Sequence, residues 1–251
     1  VNDSFLEQHS LKKGSMSLIN EEKANYFYSK ILGGLETSGG SAANTIAGLS
    51  QLGSKAAFIG RVKNDPLGQI FTDEINSVGV LFETPAKHDG PSTARCMIFV
   101  TPDAQRTMCT YLGCSTFLEI KDLNLELIKK SKVLYLEGYL WDNNEAKRAF
   151  VEASKVSKNA GKKVALSLSD SFCVERHRES FLDLVSKYVD ILFANEAEIN
   201  SLYETNNLDS ALTKLHGKFE IAAITRAEKG SIIIANEKRI KINAYNFAPV
   251  L

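Results

Sequence analysis

The chain has 251 residues, with 30 Lys and Arg against 30 Asp and Glu, so its formal net charge at pH 7 is zero. Hydrophobic residues make up 44% and charged residues 24%, a globular balance that argues against disorder and, at this length, fits one large domain. A neutral chain lacks the basic footprint of a nucleic-acid binder, no apolar run reaches the roughly 20 residues that span a bilayer, and four cysteines are too few for a disulfide scaffold.

The opening Val1-Asn2-Asp3-Ser4-Phe5-Leu6 has neither the basic nor the apolar region of a signal peptide. A glycine pair, Gly39-Gly40, precedes a helical pattern from Asn44 to Leu52. Lys55 to Gly60 reads as a short buried strand, and Leu67, Ile70, Phe71, Ile75 and Val78 recur at helical spacing up to a stop at Gly79. Ala94 to Val100, a turn at Thr101-Pro102-Asp103-Ala104 and Arg106 to Leu112 read as a β-hairpin. Then come strands at Val133–Leu136 and Val164–Leu168, separated by a helix on Ala146, Ala149, Phe150, Ala153 and Val156 that ends at Gly161. A helix on Phe181, Leu184, Val185 and Tyr188 leads to a strand at Ile191–Ala194 and a helix opening near Asn195. Strands at Ile221–Thr225 and Ser231–Ala235 follow, and Phe247–Leu251 looks like a further strand cut short.

Short apolar strands alternating with amphipathic helices imply an α/β fold with a mostly parallel sheet covered on both faces. The hairpin breaks that rhythm and suggests a small β lid, with candidate segments at 10–19 and 91–113. Cys96, Cys109, Cys114 and Cys173 form no Cys-x-x-Cys pair, which implies free, mostly buried thiols and a cytoplasmic location. His9, His88, His177 and His216 show no metal-ligand spacing, and Arg176-His177-Arg178 reads as a solvated helix face.

Five places could carry chemistry. Ser38-Gly39-Gly40-Ser41-Ala42-Ala43-Asn44 sits before a helix, where glycines admit a ligand to the backbone and Asn44 offers a donor and an acceptor; it reads equally as a glycine loop with Asn44 as a plain helix cap. It matches neither a Walker A loop nor Gly-x-Gly-x-x-Gly. Asn195-Glu196-Ala197-Glu198 ends a strand, where doubly wound sheets bind ligands; Glu198 could hold a water on Mg²⁺, or Asn195 and Glu198 could form a capping pair. Thr225 to Gly230 lies between strands and is either a phosphate-binding turn or an ordinary one. Arg106 follows the hairpin turn, placed to offset charge on a transferring phosphoryl group or simply exposed. Tyr139, in Gly138-Tyr139-Leu140-Trp141, is either a wall for a base or sugar or a core residue.

Taken in order, these motifs resemble the PfkB (ribokinase-like) family of carbohydrate and nucleoside kinases. Gly39-Gly40-Ser41-Ala42-Ala43-Asn44 matches its first signature, Gly60 to Gly68 its continuation, and Thr101 to Met108 its lid hairpin. Leu136 to Trp141, Ser169 to Arg178 and Phe193 to Glu198 are similar to the bacterial adenosine-kinase-like branch. The resemblance implies a Rossmann-like sheet with a β lid, and transfer of the γ-phosphoryl group of ATP, with Mg²⁺, to a primary hydroxyl of a nucleoside or sugar. It implies that Gly39, Gly40 and Asn44, with Tyr139, bind the acceptor, and that Arg106 approaches the phosphoryl group. It assigns Asn195, Glu198, Thr225 and Gly230 to the nucleotide and Mg²⁺, with Glu198 acting through water. It also implies a monomer or a homodimer joined through the lid, with no nucleic-acid or membrane partner.

The family's second signature, Asp-Thr-x-Gly-Ala-Gly-Asp, which carries the catalytic Asp, is absent from these residues. The expectation is therefore one ribokinase-like domain over 1–251, incomplete at both ends. Ala227 and Ser167 depart from the family's usual Gly and Asp or Asn. Alternatives from other classes are a non-catalytic sugar or nucleoside binder with a kinase fold and a dinucleotide enzyme.

Overall fold

The computed structural model describes residues 1–31, 34–236 and 238–245; the strand expected at Phe247–Leu251 lies outside them. The chain divides into two compact units, Val1–Leu118 and Glu119–Leu251.

The first unit opens with α1 (Asp3–Gln8), β1 (Met16–Leu18) and α2 (Glu21–Lys30), both helices capped by an Asn side chain. There follow α3 (Ser41–Gln51), β2 (Ala56–Phe58), α4 (Pro66–Ser77) and β3 (Val80–Phe82). The hairpin is β4 (Arg95–Val100) and β5 (Arg106–Tyr111). β1 pairs parallel to β5, with Met16 opposite Met108, giving a three-stranded sheet in the order β1-β5-β4. Alternation decides its two faces: Met97, Phe99 and Cys109 point inward onto Leu6, Leu11, Ala24 and Phe27, while Ile98 and Val100 point out. At the hairpin tip the Thr101 N–H donates to the Gln105 carbonyl at 3.0 Å, and Lys13 ion-pairs with Asp103 at 2.7 Å and Asp3 at 2.8 Å. A second core, built on Ala43, Val62, Ile75, Val80 and Phe82, unites α3, α4 and the parallel pair β2-β3.

The second unit alternates strand and helix, with elements at 125–130, 171–176, 208–213 and 238–242 beyond those the periodicity predicts. α5 (Leu125–Lys130), β6 (Val133–Glu137), α6 (Asn144–Asn159), β7 (Lys163–Ser167), α7 (Ser171–Arg176) and α8 (Arg178–Tyr188) come first. β8 (Ile191–Asn195), α9 (Glu196–Tyr203), α10 (Leu208–Thr213), β9 (Ile221–Thr225), β10 (Ser231–Ala235) and β11 (Lys238–Ile242) complete it. Its six-stranded sheet runs β11-β10-β9-β8-β7-β6, parallel from β6 to β9 and antiparallel at β10 and β11. Val164, Leu166, Leu192, Ala222 and Ile224 are buried in it, as expected of strands covered on both faces. Trp141, the only tryptophan, is buried; its ring stacks on Phe181 at 5.1 Å and its Nε1–H donates to Ser180 at 2.8 Å.

One expectation is refined. Arg176-His177-Arg178 spans the junction of α7 and α8, where Arg176 is exposed as expected and His177 and Arg178 are partly buried. Arg176 grips Asp142 through both carboxylate oxygens, His177 Nε2 lies 2.7 Å from Asp142, and Arg178 bonds the Ser201 carbonyl and Glu204. Of the cysteines, Cys109, Cys114 and Cys173 are buried and Cys96 is exposed, all as free thiols. No helix among the described residues is long and apolar enough to cross a membrane.

Candidate active site

In the first unit the glycine loop ends at Gly40, which is the N-cap of α3 at φ 105°, a conformation that favours glycine. A Cβ on Gly39 or Gly40 would meet nothing within 4 Å, so this stretch of backbone is open to a ligand. Asn44 lies inside the first turn, its N–H donating to the Gly40 carbonyl at 2.8 Å, and it is therefore not the cap. Its side chain is exposed and makes no hydrogen bond among the described residues.

The approach to this loop is fastened from α4. Glu74 accepts from the Ser38 N–H and from the Thr37 hydroxyl, the latter at 3.0 Å. The Ser38 N–H holds the Glu74 carboxyl below its ordinary range. Tyr28 adds a hydrogen bond to Glu36. The start of α4 is built around Asp65, its N-cap, which accepts from the Gly68 N–H at 2.8 Å, the Thr93 N–H at 2.9 Å and the Thr93 hydroxyl at 2.7 Å. Burial pushes the Asp65 carboxyl up, and these donors outweigh it and leave it low. Arg106 begins β5 opposite Val100, exposed and unpaired among the described residues.

In the second unit the remaining candidates gather at the carboxyl ends of the parallel strands, the edge where open α/β sheets bind ligands. Asn195 and Thr225 are register partners across β8 and β9. Asn195 and Glu198 form a capping box: the Asn195 side chain accepts from the Glu198 N–H at 2.8 Å, and the Asn195 N–H and Nδ2 donate to the two Glu198 oxygens at 2.9 and 2.7 Å. The capping alternative is thus present in the structure, and it fixes the carboxylate at the strand end. Glu198 is only 6% exposed; burial raises its pKa, the Asn195 N–H opposes this, and the charge of Asp170 raises it further.

Tyr139 is half exposed rather than core; burial raises its hydroxyl pKa, followed by the charges of Asp170, Glu137 and Glu198. Its turn is held by Ser169, whose hydroxyl accepts from the Gly138 N–H at 3.0 Å. Thr225 is exposed, with its hydroxyl unengaged among the described residues. Gly230 closes the turn after it: at φ 80°, a Cβ there would stand 2.0 Å from the Ile242 carbonyl. That gives Gly230 a reason in the backbone itself. Arg226 braces the same turn through an ion pair with Glu196 at 3.0 Å.

Among the described residues no three His, Cys, Asp or Glu are grouped to ligate a metal directly. One buried carboxylate beside a second negative charge fits a divalent cation held through water. Glu74, Asp65 and Ser169 were missed as site-building residues. Asp65-Pro66 carried a signal, an N-cap followed by proline at the first helical position; the other two carried none.

The family model for pfkB family carbohydrate kinases matches residues 34–248. The adenosine kinase of Sinorhizobium meliloti is 44% identical with a TM-score of 0.88, over 100% of this chain and 77% of that one. A probable sugar kinase from Rhizobium etli CFN 42 is also 44% identical, with a TM-score of 0.87 over 98% of this chain and 75% of that one. Probable fructokinase-5 of Arabidopsis thaliana is 26% identical over 79% of this chain. The chain spans 63% of that relative's length.

Proposed function

Because the chain belongs to the pfkB family of carbohydrate kinases, we propose that it forms part of a kinase that transfers the γ-phosphoryl group of ATP to a primary hydroxyl of a nucleoside such as adenosine. The observation that carries this reading is the 44% identity, along its whole length, to a protein described as an adenosine kinase. A sugar acceptor is the second reading, favoured by the equally similar probable sugar kinase.

Phosphoryl transfer is largely positioning and charge stabilisation. The Asn44 amide holds acceptor hydroxyls, and Gly39 and Gly40 let the backbone come close to them. The Arg106 guanidinium, without a carboxylate partner among the described residues, meets the charge of the transferring group. Thr225 contributes its hydroxyl to the nucleotide phosphates. Glu198, fixed by its capping box, would hold Mg²⁺ through water, and the cation would neutralise phosphate charge. Tyr139 offers a half-exposed aromatic ring in the second unit. The base that takes the acceptor proton belongs to the family's second glycine signature, which is not within these 251 residues.

The test is to supply the full-length protein with ATP, Mg²⁺ and adenosine, inosine, ribose or fructose in turn, and to follow ADP release and the mass of the product. Adenosine is expected to gain one phosphate. Turnover of fructose or ribose alone moves the assignment to the sugar reading, and no product from any of the four overturns the kinase proposal.

A further inference from the structure

We propose that Glu74 is a positioning residue for the acceptor loop, acting from α4 on a segment 36 residues earlier in the chain; this rests on reading Gly39, Gly40 and Asn44 as the acceptor site. The loop cannot place itself. Its glycines carry no side chains, Gly40 caps α3 without a side-chain bond, and a Cβ at either glycine would touch nothing. An open glycine pair costs conformational entropy to order, so something outside it must fix its path.

The Glu74 carboxylate does this at the last residue before the pair. It takes the Ser38 backbone N–H, and with it the orientation of the Thr37–Ser38 peptide one residue before Gly39, and it takes the Thr37 hydroxyl at 3.0 Å. Ile75, the next residue of α4, is 1% exposed and packs in the core shared with Ala43 of α3. The helix that carries the carboxylate and the helix that carries Asn44 thus share one core with β2 and β3, and Glu74 ties the loop that leads into α3 to that frame. A charge-assisted bond to a backbone N–H is stronger than a neutral one. The Ser38 N–H also keeps the Glu74 carboxyl low, so the acceptor of both bonds is charged at neutral pH.

The test compares Glu74→Ala, Glu74→Gln and Asn44→Ala in the full-length protein by two independent readouts. The first is hydrogen exchange of residues 37–44 without ligand. The second is steady-state kinetics with ATP and the acceptor that the wild type uses. Glu74→Ala is expected to speed exchange across 37–44 at least tenfold and to raise the acceptor KM about tenfold, with the ATP KM unchanged within twofold. Glu74→Gln, which keeps one carbonyl acceptor, is expected to restore most of both. Unchanged exchange at 37–44 overturns the proposal, and so does an unmoved acceptor KM in a protein where Asn44→Ala raises it. If the wild type phosphorylates no acceptor, the kinase reading fails separately, and the exchange data alone decide whether Glu74 holds the loop.

Discussion

An asparagine one turn inside a helix does different work from one at its start. At a helix start its side chain is consumed by the backbone, as Asn20 is by Lys23 at 2.9 Å. Asn44 lies past the cap, exposed and unengaged among the described residues, so its amide is available to a ligand. We expect Asn44→Ala to raise the acceptor KM roughly tenfold or more, the scale of leaving one polar group of a bound acceptor unpaired, with the ATP KM and the thermal midpoint unchanged. An unchanged acceptor KM removes Asn44 from the site. The sequence placed Asn44 beside the glycine loop but left cap and ligand group undecided, because the choice turns on which residue starts the helix. Glu74 was invisible for another reason. It sits among polar residues on the outer part of an amphipathic helix, and nothing in a linear pattern reveals that a carboxylate reaches a backbone N–H 36 positions away.

At the scale of elements, β6 to β10 and the longer helices α6 and α8 were legible nearly to their ends, with Ile221–Thr225 and Ser231–Ala235 found where the sequence puts them, whereas the six-residue helices α5, α7 and α10 and the charged strand β11 were not read. Deep burial makes such strands uniformly apolar, and their helices carry a clear apolar stripe. The three-residue strands β1 and β3 are too short to show a period, and β1 pairs with β5 some 90 residues away, a partnership no local signal encodes. The charge run at Arg176–Arg178 is only partly solvated: Arg176 is exposed, and Asp142 gathers it and His177 from a distant turn, a partnership that no local pattern encodes. Helix α4 offers a direct test of backbone closeness. A Cβ on Gly68 would lie 2.0 Å from the Lys63 carbonyl oxygen, while one on Gly39 meets nothing. Gly68→Ala is expected to cost at least about 2 kcal/mol in urea unfolding, through overpacking against a backbone that cannot yield. Gly39→Ala is expected to leave stability within about 0.5 kcal/mol. Equal stability of the two variants would contradict the packing described at the start of α4.

Over the whole molecule, the titrating carboxylates favour one direction. The Asp103 carboxyl is drawn down to about 2, chiefly by the hydrogen bond from Lys13 and then by Thr101. Asp65, Glu74 and Asp142 are also lowered; at Asp65 and Asp142 burial acts upward and is outweighed by hydrogen bonds and neighbouring cations. A carboxyl with a folded-state pKa below its unfolded value binds fewer protons when folded. Its stabilisation is complete above the unfolded value near 4 and is lost as pH falls through the folded one. Glu198, raised by burial, acts in the opposite sense and offsets part of this. We expect the thermal midpoint to stay level from pH 7 to about 5 and to fall steeply below about 4, with Asp103→Asn flattening the lowest part of the fall. A midpoint that holds down to pH 3 would refute the ledger of signs. The single tryptophan adds a practical consequence. Trp141 is sealed from water against Phe181 and Ser180 in the second unit, so the chain carries one indole, whose emission, excited selectively, is expected to be blue-shifted. A shift of that emission to the red during denaturation reports the opening of the second unit's core and is silent about the glycine loop. A fluorescence melt therefore follows the second unit and a circular-dichroism melt the backbone of the whole chain, so any gap between the two curves measures how separately the first unit comes undone.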